Sequence, residues 1–106
     1  MSDDGTGPRH IDIASPRGTR YTVATPAEIV TVHLHTNGAI RAGRAPKPDG
    51  LGPQLNSDGK ILPVEIFEFT VGSVGYVRWN EPNTWVGDRF KAAVVLWIHA
   101  EPLSWR

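Results

Sequence analysis

The segment that most constrains the fold is IVTVHLHTNGAIRAG, residues 29–43. Its first seven residues alternate in character, so that the valine and leucine side chains fall on one face of a strand and the histidines on the other. Asn37 and Gly38 then match the favoured two-residue hairpin turn, type I′, in which both central residues take positive φ. The segment therefore predicts two antiparallel strands joined by a type I′ turn.

Short alternating or β-branched segments recur along the rest of the chain. Strands are predicted at 10–14, 20–24, 60–71 and 76–79, with a bulge or exposed edge near Pro63. The segment 89–101 fits either a helix capped by Asp88 or a strand that is apolar on both faces, and its β-branched residues favour the buried strand. We therefore expect an all-β fold, a small antiparallel sandwich or barrel of six to eight short strands. The alternative is an α+β fold with a C-terminal helix at 88–101.

The chain of 106 residues has the length of one domain. Residues 1–8 contain almost nothing apolar and are predicted to form an N-terminal arm, followed by a single β-rich domain at 9–106. The stretch 41–59 is rich in Gly and Pro, which predicts an extended loop that either reaches a partner or wraps the domain. Thr25 and Glu28 have the spacing of a helix-capping box, which allows at most one helical turn before the strand that follows.

Composition excludes several classes of function. Eleven basic and eleven acidic side chains cancel, so the electrostatic attraction that dominates nucleic-acid binding is weak. The chain has no cysteine, and no apolar run approaches the ~20 residues that cross a bilayer. Its start lacks the apolar core of a secretion signal, which predicts a cytoplasmic or virion location. Residues 9–47 lean basic and 48–106 lean acidic, a pattern that suits head-to-tail contact between copies.

The histidines offer one candidate site. His33 and His35 lie two residues apart on a strand, so both rings point to one face, as chelation requires. With His99, and Glu101 on the same face, they form a conceivable metal site. The favoured interpretation is that His33 and His35 only line the wet face of the strand, with no metal bound.

The tryptophans offer a second candidate. Trp79 and Trp85 flank a polar loop and Trp105 is close to the C-terminal end, so we expect these three rings at the periphery rather than in a central core. Peripheral rings either close the ends of a barrel or mark an interface. As an alternative, Trp79, Asn80, Glu81 and Trp85 would form a platform for a carbohydrate or another small ligand.

No nucleophile elbow, phosphate-binding loop or dinucleotide fingerprint is present. We therefore predict a non-catalytic structural or interaction subunit of a larger assembly, without a cofactor. A small virus or phage particle protein in a head, tail or decoration role is one setting. The expected partners are copies of the chain or neighbouring subunits, not membranes or nucleic acid.

The alternatives are a small carbohydrate- or ligand-binding barrel and, less favoured, a histidine-based metal enzyme. The candidate contact residues are Arg9, Arg17, Arg44, Lys47, Trp85 and Trp105.

Overall fold

The computed structural model describes residues 7–47, 61–79 and 89–103, and every regular element in them is a β-strand. The strands are β1 (His10–Asp12), β2 (Thr19–Ala24), β3 (Glu28–Leu34), β4 (Ile40–Pro46), β5 (Leu62–Thr70), β6 (Val74–Trp79), β7 (Arg89–Val94) and β8 (Trp97–Pro102). The predicted all-β fold is confirmed. The alternative C-terminal helix is not favoured, because β7 and β8 occupy that segment. Most of the predicted arm lies outside the described residues.

All eight strands form one antiparallel system in the order β7-β6-β5-β4-β3-β2-β8, with β1 added to β5. The long strand β5 connects two sheets. Its first residues pair with β4, its last residues pair with β1, and β6 lies along its other side. We name the β1, β5, β6 and β7 group the first sheet, and the β2, β3, β4 and β8 group the second sheet. This arrangement is compatible with a sandwich or a barrel.

The core is formed by inward-facing side chains of both sheets. Its members are Ile11, Tyr21, Val23, Val30, Val32, Leu34, Ala42, Val64, Phe67, Phe69, Val77, Trp79, Val95 and Ile98. In β3 the buried and outward positions alternate without a break, which confirms the prediction for this strand. Trp79 belongs to this core with 2% of its surface exposed, and its indole N–H donates to the carbonyl of Ala42 at 3.2 Å. The prediction of Trp79 at the periphery is therefore wrong.

The turn between β3 and β4 differs from the predicted type I′ turn. The N–H of Gly38 donates to the carbonyl of His35 at 3.1 Å, and the N–H of His35 donates to the carbonyl of Ala39 at 2.9 Å. Gly38 has φ of 96°, whereas no described residue other than glycine has positive φ. This pattern is a type I turn followed by a left-handed glycine, the common three-residue hairpin loop. Asn37 instead accepts a hydrogen bond from the N–H of Ala39 at 2.9 Å through its side-chain oxygen.

The predicted irregularity in β5 is a bulge. The register with β6 shifts between Val64 and Ile66, so one residue of β5 has no opposite partner. The extra residue reverses the inward and outward positions beyond it. As a consequence Glu65 and Glu68, which an unbroken strand would place on opposite faces, are both exposed.

Strand β4 is longer than predicted. It continues through Pro46, into the stretch 41–59 that was expected to be loop. Pairing with β3 along its length accounts for the extension, because each residue from 40 to 46 has a register partner in β3. Of the remainder of the predicted loop, residues 48–59 lie outside the described residues.

A charged pair is buried between β3 and β4. Glu28 and Arg44 are each 2% exposed, and Nη2 of Arg44 lies 3.5 Å from Oε1 of Glu28. The hydroxyl of Thr25 donates to Oε2 of Glu28 at 2.7 Å, and the N–H of Ala93 donates to the same oxygen at 3.3 Å. Arg44 is opposite Val30 on the core face of the sheet. It is buried rather than presented to a partner, which corrects its prediction as a contact residue.

The capping-box spacing of Thr25 and Glu28 forms a tight turn, not a helical turn. The hydroxyl oxygen of Thr25 accepts hydrogen bonds from the N–H groups of Ala27 at 3.1 Å and Glu28 at 3.0 Å. The Glu28 carboxylate accepts from the hydroxyl of Thr25 and not, as in a capping box, from its backbone N–H, which donates to the Glu28 carbonyl at 3.0 Å. The chain then enters β3 directly, because the alternating residues that follow bury one face of a strand.

Candidate functional site

Four large apolar side chains are exposed together where β6 begins and β7 passes into β8. Val74, Val94, Leu96 and Trp97 are 53%, 44%, 50% and 44% exposed, respectively. Val74 and Val94 are direct partners in the β6–β7 pair, and Leu96 and Trp97 follow within three residues along the chain. We name these four residues the apolar corner. Exposed apolar side chains grouped in this way are typical of interaction sites, whereas single exposed apolar residues are ordinary.

The backbone between β7 and β8 explains the apolar corner, because there the chain crosses from one sheet to the other. The N–H of Val95 donates to the carbonyl of Ser73 at 3.0 Å, in the turn between β5 and β6 of the first sheet. The N–H of Leu96 donates to the carbonyl of Ala24 at 2.7 Å, at the end of β2 in the second sheet. Val95 is buried, and the two residues after it both face outward.

This crossing corrects the prediction that 89–101 is one strand buried on both faces. The segment is two strands that belong to different sheets, and Trp97 at the start of β8 is exposed. Several apolar side chains of this segment are therefore exposed rather than buried.

A second candidate surface is the outward face of the second sheet around His33. Glu101, Arg20, His33 and Arg41 lie side by side on β8, β2, β3 and β4. Arg20 forms a salt bridge with Glu101. Within the described part of the chain, no salt bridge includes Arg41.

A hollow of about 430 Å³ opens beside this row, and we name it the histidine hollow. Its lining residues are His33, His35, Asn37, Ala39, Arg41 and Ile61. The rings of His33 and His35 meet edge to face, with centroids 5.9 Å apart and planes at 75°. The volume falls in the range of small-ligand sites. None of these lining residues, which all belong to the described ranges, is a carboxylate.

The environment of His33 disfavours its charged form. Partial burial lowers the pKa of His33 below the usual 6.5, and His35, Arg20 and Arg41 lower it further through like charge. The two arginines are the direct neighbours of His33 on β2 and β4. The neutral form of His33 is therefore favoured more than in an unperturbed histidine, and a negative charge placed in the histidine hollow would act in the opposite direction.

The metal set predicted as an alternative is not brought together. His99 lies opposite Thr22 on β8, and β2 separates β8 from β3. Neighbouring strands are ~4.8 Å apart, so β3 and β8, which carry His33 and His99, are ~10 Å apart with β2 between them. Among residues 7–47, 61–79 and 89–103, no group of three or more His, Cys, Asp or Glu side chains is placed to hold a metal ion.

The other predicted contact residues are scattered. Arg9 and Arg17 are exposed, and Lys47 is half-buried with its backbone N–H bonded to the turn between β2 and β3. Trp85 and Trp105 lie outside the described residues.

The alternative ligand platform is affected by the burial of Trp79. Its ring packs in the core and is not offered to a ligand from solvent. Asn80, Glu81 and Trp85 lie outside the described residues, so the structure gives no contacts for them.

Strand pairing also brings together three polar side chains that were not predicted to be neighbours. Nδ1 of His10 lies 2.7 Å from the Thr70 hydroxyl, and its Nε2 lies 3.0 Å from Oδ2 of Asp12. The hydrogen bond with His10 lowers the pKa of Asp12, and the N–H of Ala14 adds to the effect. Carboxylate, imidazole and hydroxyl in this order can activate a nucleophile. Here the cluster is exposed, and the register of β1 with β5 accounts for it, since His10 and Thr70 are direct partners.

No family model, curated protein or solved structure matches this chain. In the portion that the structure describes, no helix has the length and apolar character needed to cross a membrane. The apolar corner and the histidine hollow are therefore the features from which a function can be inferred.

Proposed function

We propose that this protein is a non-catalytic subunit that binds other protein chains in a larger assembly, and that the apolar corner is its contact surface. The observation that carries the proposal is the joint exposure of Val74, Val94, Leu96 and Trp97. Folding leaves these side chains in water although the chain buries other valines completely. A surface that remains apolar after folding gains most by being covered by a partner.

The magnitude of this gain supports a specific contact. Complete transfer of a Val, Leu or similar side chain out of water stabilises by about 1.5–3 kcal/mol. Roughly half of each side chain in the apolar corner is still exposed, so covering the four of them contributes several kcal/mol before the costs of association. Trp97 has the residue type that most often anchors such contacts. Aliphatic neighbours beside it would exclude water from the contact.

The partner that we propose is a second copy of the chain. Two apolar corners related by a two-fold axis cover each other, because the same surface serves both sides of such an interface. A role in a virus or phage particle, in the head, tail or surface decoration, stays a prediction from the sequence. A neighbouring subunit with an apolar surface would use the same contact residues.

Amide NMR spectra recorded over a dilution series test this proposal. We expect concentration-dependent shifts at the backbone amides of 94–97 and of Val74, because these amides change environment when the apolar corner is covered. Amides on the outward face of β3 provide the internal reference. Spectra that do not change with concentration, or changes centred on β3, would contradict the proposal.

A further inference from the structure

We propose that the histidine hollow binds an oxyanion group, phosphate or carboxylate, carried by a small ligand. The site lies on the outward face of the second sheet and shares no residue with the apolar corner. It is therefore independent of the proposed function, and either proposal can fail without the other.

The first support is the convergence of hydrogen-bond donors. His33 and Arg41 are direct partners in the β3–β4 pair, and side chains opposite each other have Cβ atoms ~4.5–5.5 Å apart. Asn37 uses its side-chain oxygen for the N–H of Ala39, which leaves its amide NH₂ to donate elsewhere. A guanidinium, an imidazole and an amide thus line one hollow. The planar guanidinium of Arg41 can donate two parallel hydrogen bonds to two oxygens of a carboxylate or phosphate.

The second support is the charge of the hollow. Arg20 has its countercharge in Glu101, whereas Arg41 is in none of the salt bridges among the described residues. Among the described lining residues the only full charge is the guanidinium of Arg41, and none of them is a carboxylate. An anion entering there gains charge-assisted hydrogen bonds without displacing a salt-bridge partner of Arg41 from the described part of the chain.

The shape of the hollow indicates a ligand larger than the anion alone. A volume of about 430 Å³ exceeds what one phosphate group fills. Ile61 and Ala39 supply an apolar wall beside the donors. A small organic molecule with one anionic group fits both the donors and the apolar wall. Its anionic group would face Arg41, and its apolar portion would cover Ile61 and Ala39.

Binding should strengthen as the pH falls through the titration of His33. The groups that face His33 are Arg20 from β2, Arg41 from β4 and His35 from the same hairpin, with Glu101 beyond Arg20. All three of the facing groups disfavour its protonation. A bound anion opposes them, so proton uptake by His33 and anion binding are linked and each promotes the other.

Proton NMR of the four histidine rings tests the proposal. Inorganic phosphate is titrated at constant ionic strength maintained with chloride, and acetate is titrated in a parallel series. We expect phosphate to raise the pKa of His33 by about half a unit or more, with His35 shifted in the same direction. His10 and His99 lie outside the hollow and serve as internal controls. The same response to acetate identifies a carboxylate as sufficient, and a response to phosphate alone identifies phosphate as the ligand group.

The variant Arg41→Gln should abolish the response, whereas Arg17→Gln, which changes an exposed arginine outside the hollow, should retain it. Arg41→Lys keeps the charge and should restore part of it, which separates loss of the anion contact from loss of the fold. The proposal is overturned if neither anion moves the pKa of His33. An equal rise at all four histidines, or an unchanged response in Arg41→Gln, overturns it as well.

Discussion

Glu28 and Arg44 show how one buried charge depends on its partner. Burying a charge costs several kcal/mol, and only the opposite charge together with further hydrogen bonds offsets this cost. Glu28 has such support from Arg44, Thr25 and the N–H of Ala93. The pair joins β3, β4 and the backbone of β7, and so it ties the second sheet to the first.

Removing one charge of this pair should be much more harmful than removing both. Glu28→Gln removes a buried carboxylate that faces the buried guanidinium of Arg44, and we expect a loss of about 3–5 kcal/mol in the free energy of unfolding. Adding Arg44→Met should recover a large part of that loss. Urea denaturation of the two single variants and the double variant measures this coupling.

Glu101→Gln, which breaks the exposed salt bridge with Arg20, is the matched control and should cost no more than about 1 kcal/mol. Additive effects of Glu28→Gln and Arg44→Met would contradict the buried pair.

His33 should make the protein less stable in mild acid. Because its pKa is lower in the folded state than in the unfolded chain, the unfolded state binds more protons below about pH 6.5. Stability is therefore unaffected by His33 above that pH and falls as the pH drops toward the folded pKa. His33→Gln should reduce the loss of stability between pH 7 and pH 5 in urea titrations. Thr31→Ser, on the same face of β3, controls for substitution itself, and equal slopes in both variants would refute the role of His33.

At the scale of single residues, the sequence is a poor guide to which tryptophan is buried. Trp79 follows the inward positions of β6, and a carbonyl of β4 across the core accepts its indole N–H. Trp97 lies in a strongly apolar segment but begins β8 just after the crossing between sheets. Burial of a ring depends on these long-range neighbours, and local composition contains no information about them.

Elements were more predictable than their ends and turns. The alternation of β3 predicts its faces because a strand has a fixed period of two residues. An irregularity near Pro63, either a bulge or an exposed edge, could also be predicted from local sequence, because an unbroken strand places Glu65 and Glu68 on opposite faces. The turn at Asn37 and Gly38 was not predictable from the dipeptide alone, because the side chain of Asn37 stabilises a turn with negative φ.

Substitutions of Gly38 and Gly75 test two different effects, backbone strain in a turn and side-chain packing around a strand. Gly38 has positive φ with open space around it, so Gly38→Ala should cost about 1 kcal/mol through backbone strain alone. Gly75 in β6 lacks this conformation, but a Cβ there would overlap the ring of Phe69 and the carbonyl of Glu68. We expect Gly75→Ala to cost more, about 1–3 kcal/mol, because overpacking displaces core side chains. Thermal unfolding of both variants checks the order, and a more harmful Gly38→Ala would contradict the described packing.

For the molecule as a whole, the sharing of β5 between sheets determines which residues meet. His10 reaches Thr70, and the β7–β8 connection reaches both the β5–β6 turn and the end of β2. Such pairings join segments that are far apart in the chain, and a single sequence contains no signal for them. The all-β class could be predicted from strand periodicity, whereas the apolar corner and the histidine hollow arise only when the strands are ordered.

Sedimentation velocity over a range of protein concentrations tests whether the apolar corner is a contact surface. We expect the wild-type chain to self-associate as concentration rises and Leu96→Lys to remain monomeric. Ile13→Lys is the matched control, since Ile13 is a single exposed apolar residue in the turn after β1 and its replacement should leave association unchanged. A wild-type chain that stays monomeric throughout, or association that Leu96→Lys does not weaken, would contradict the claim.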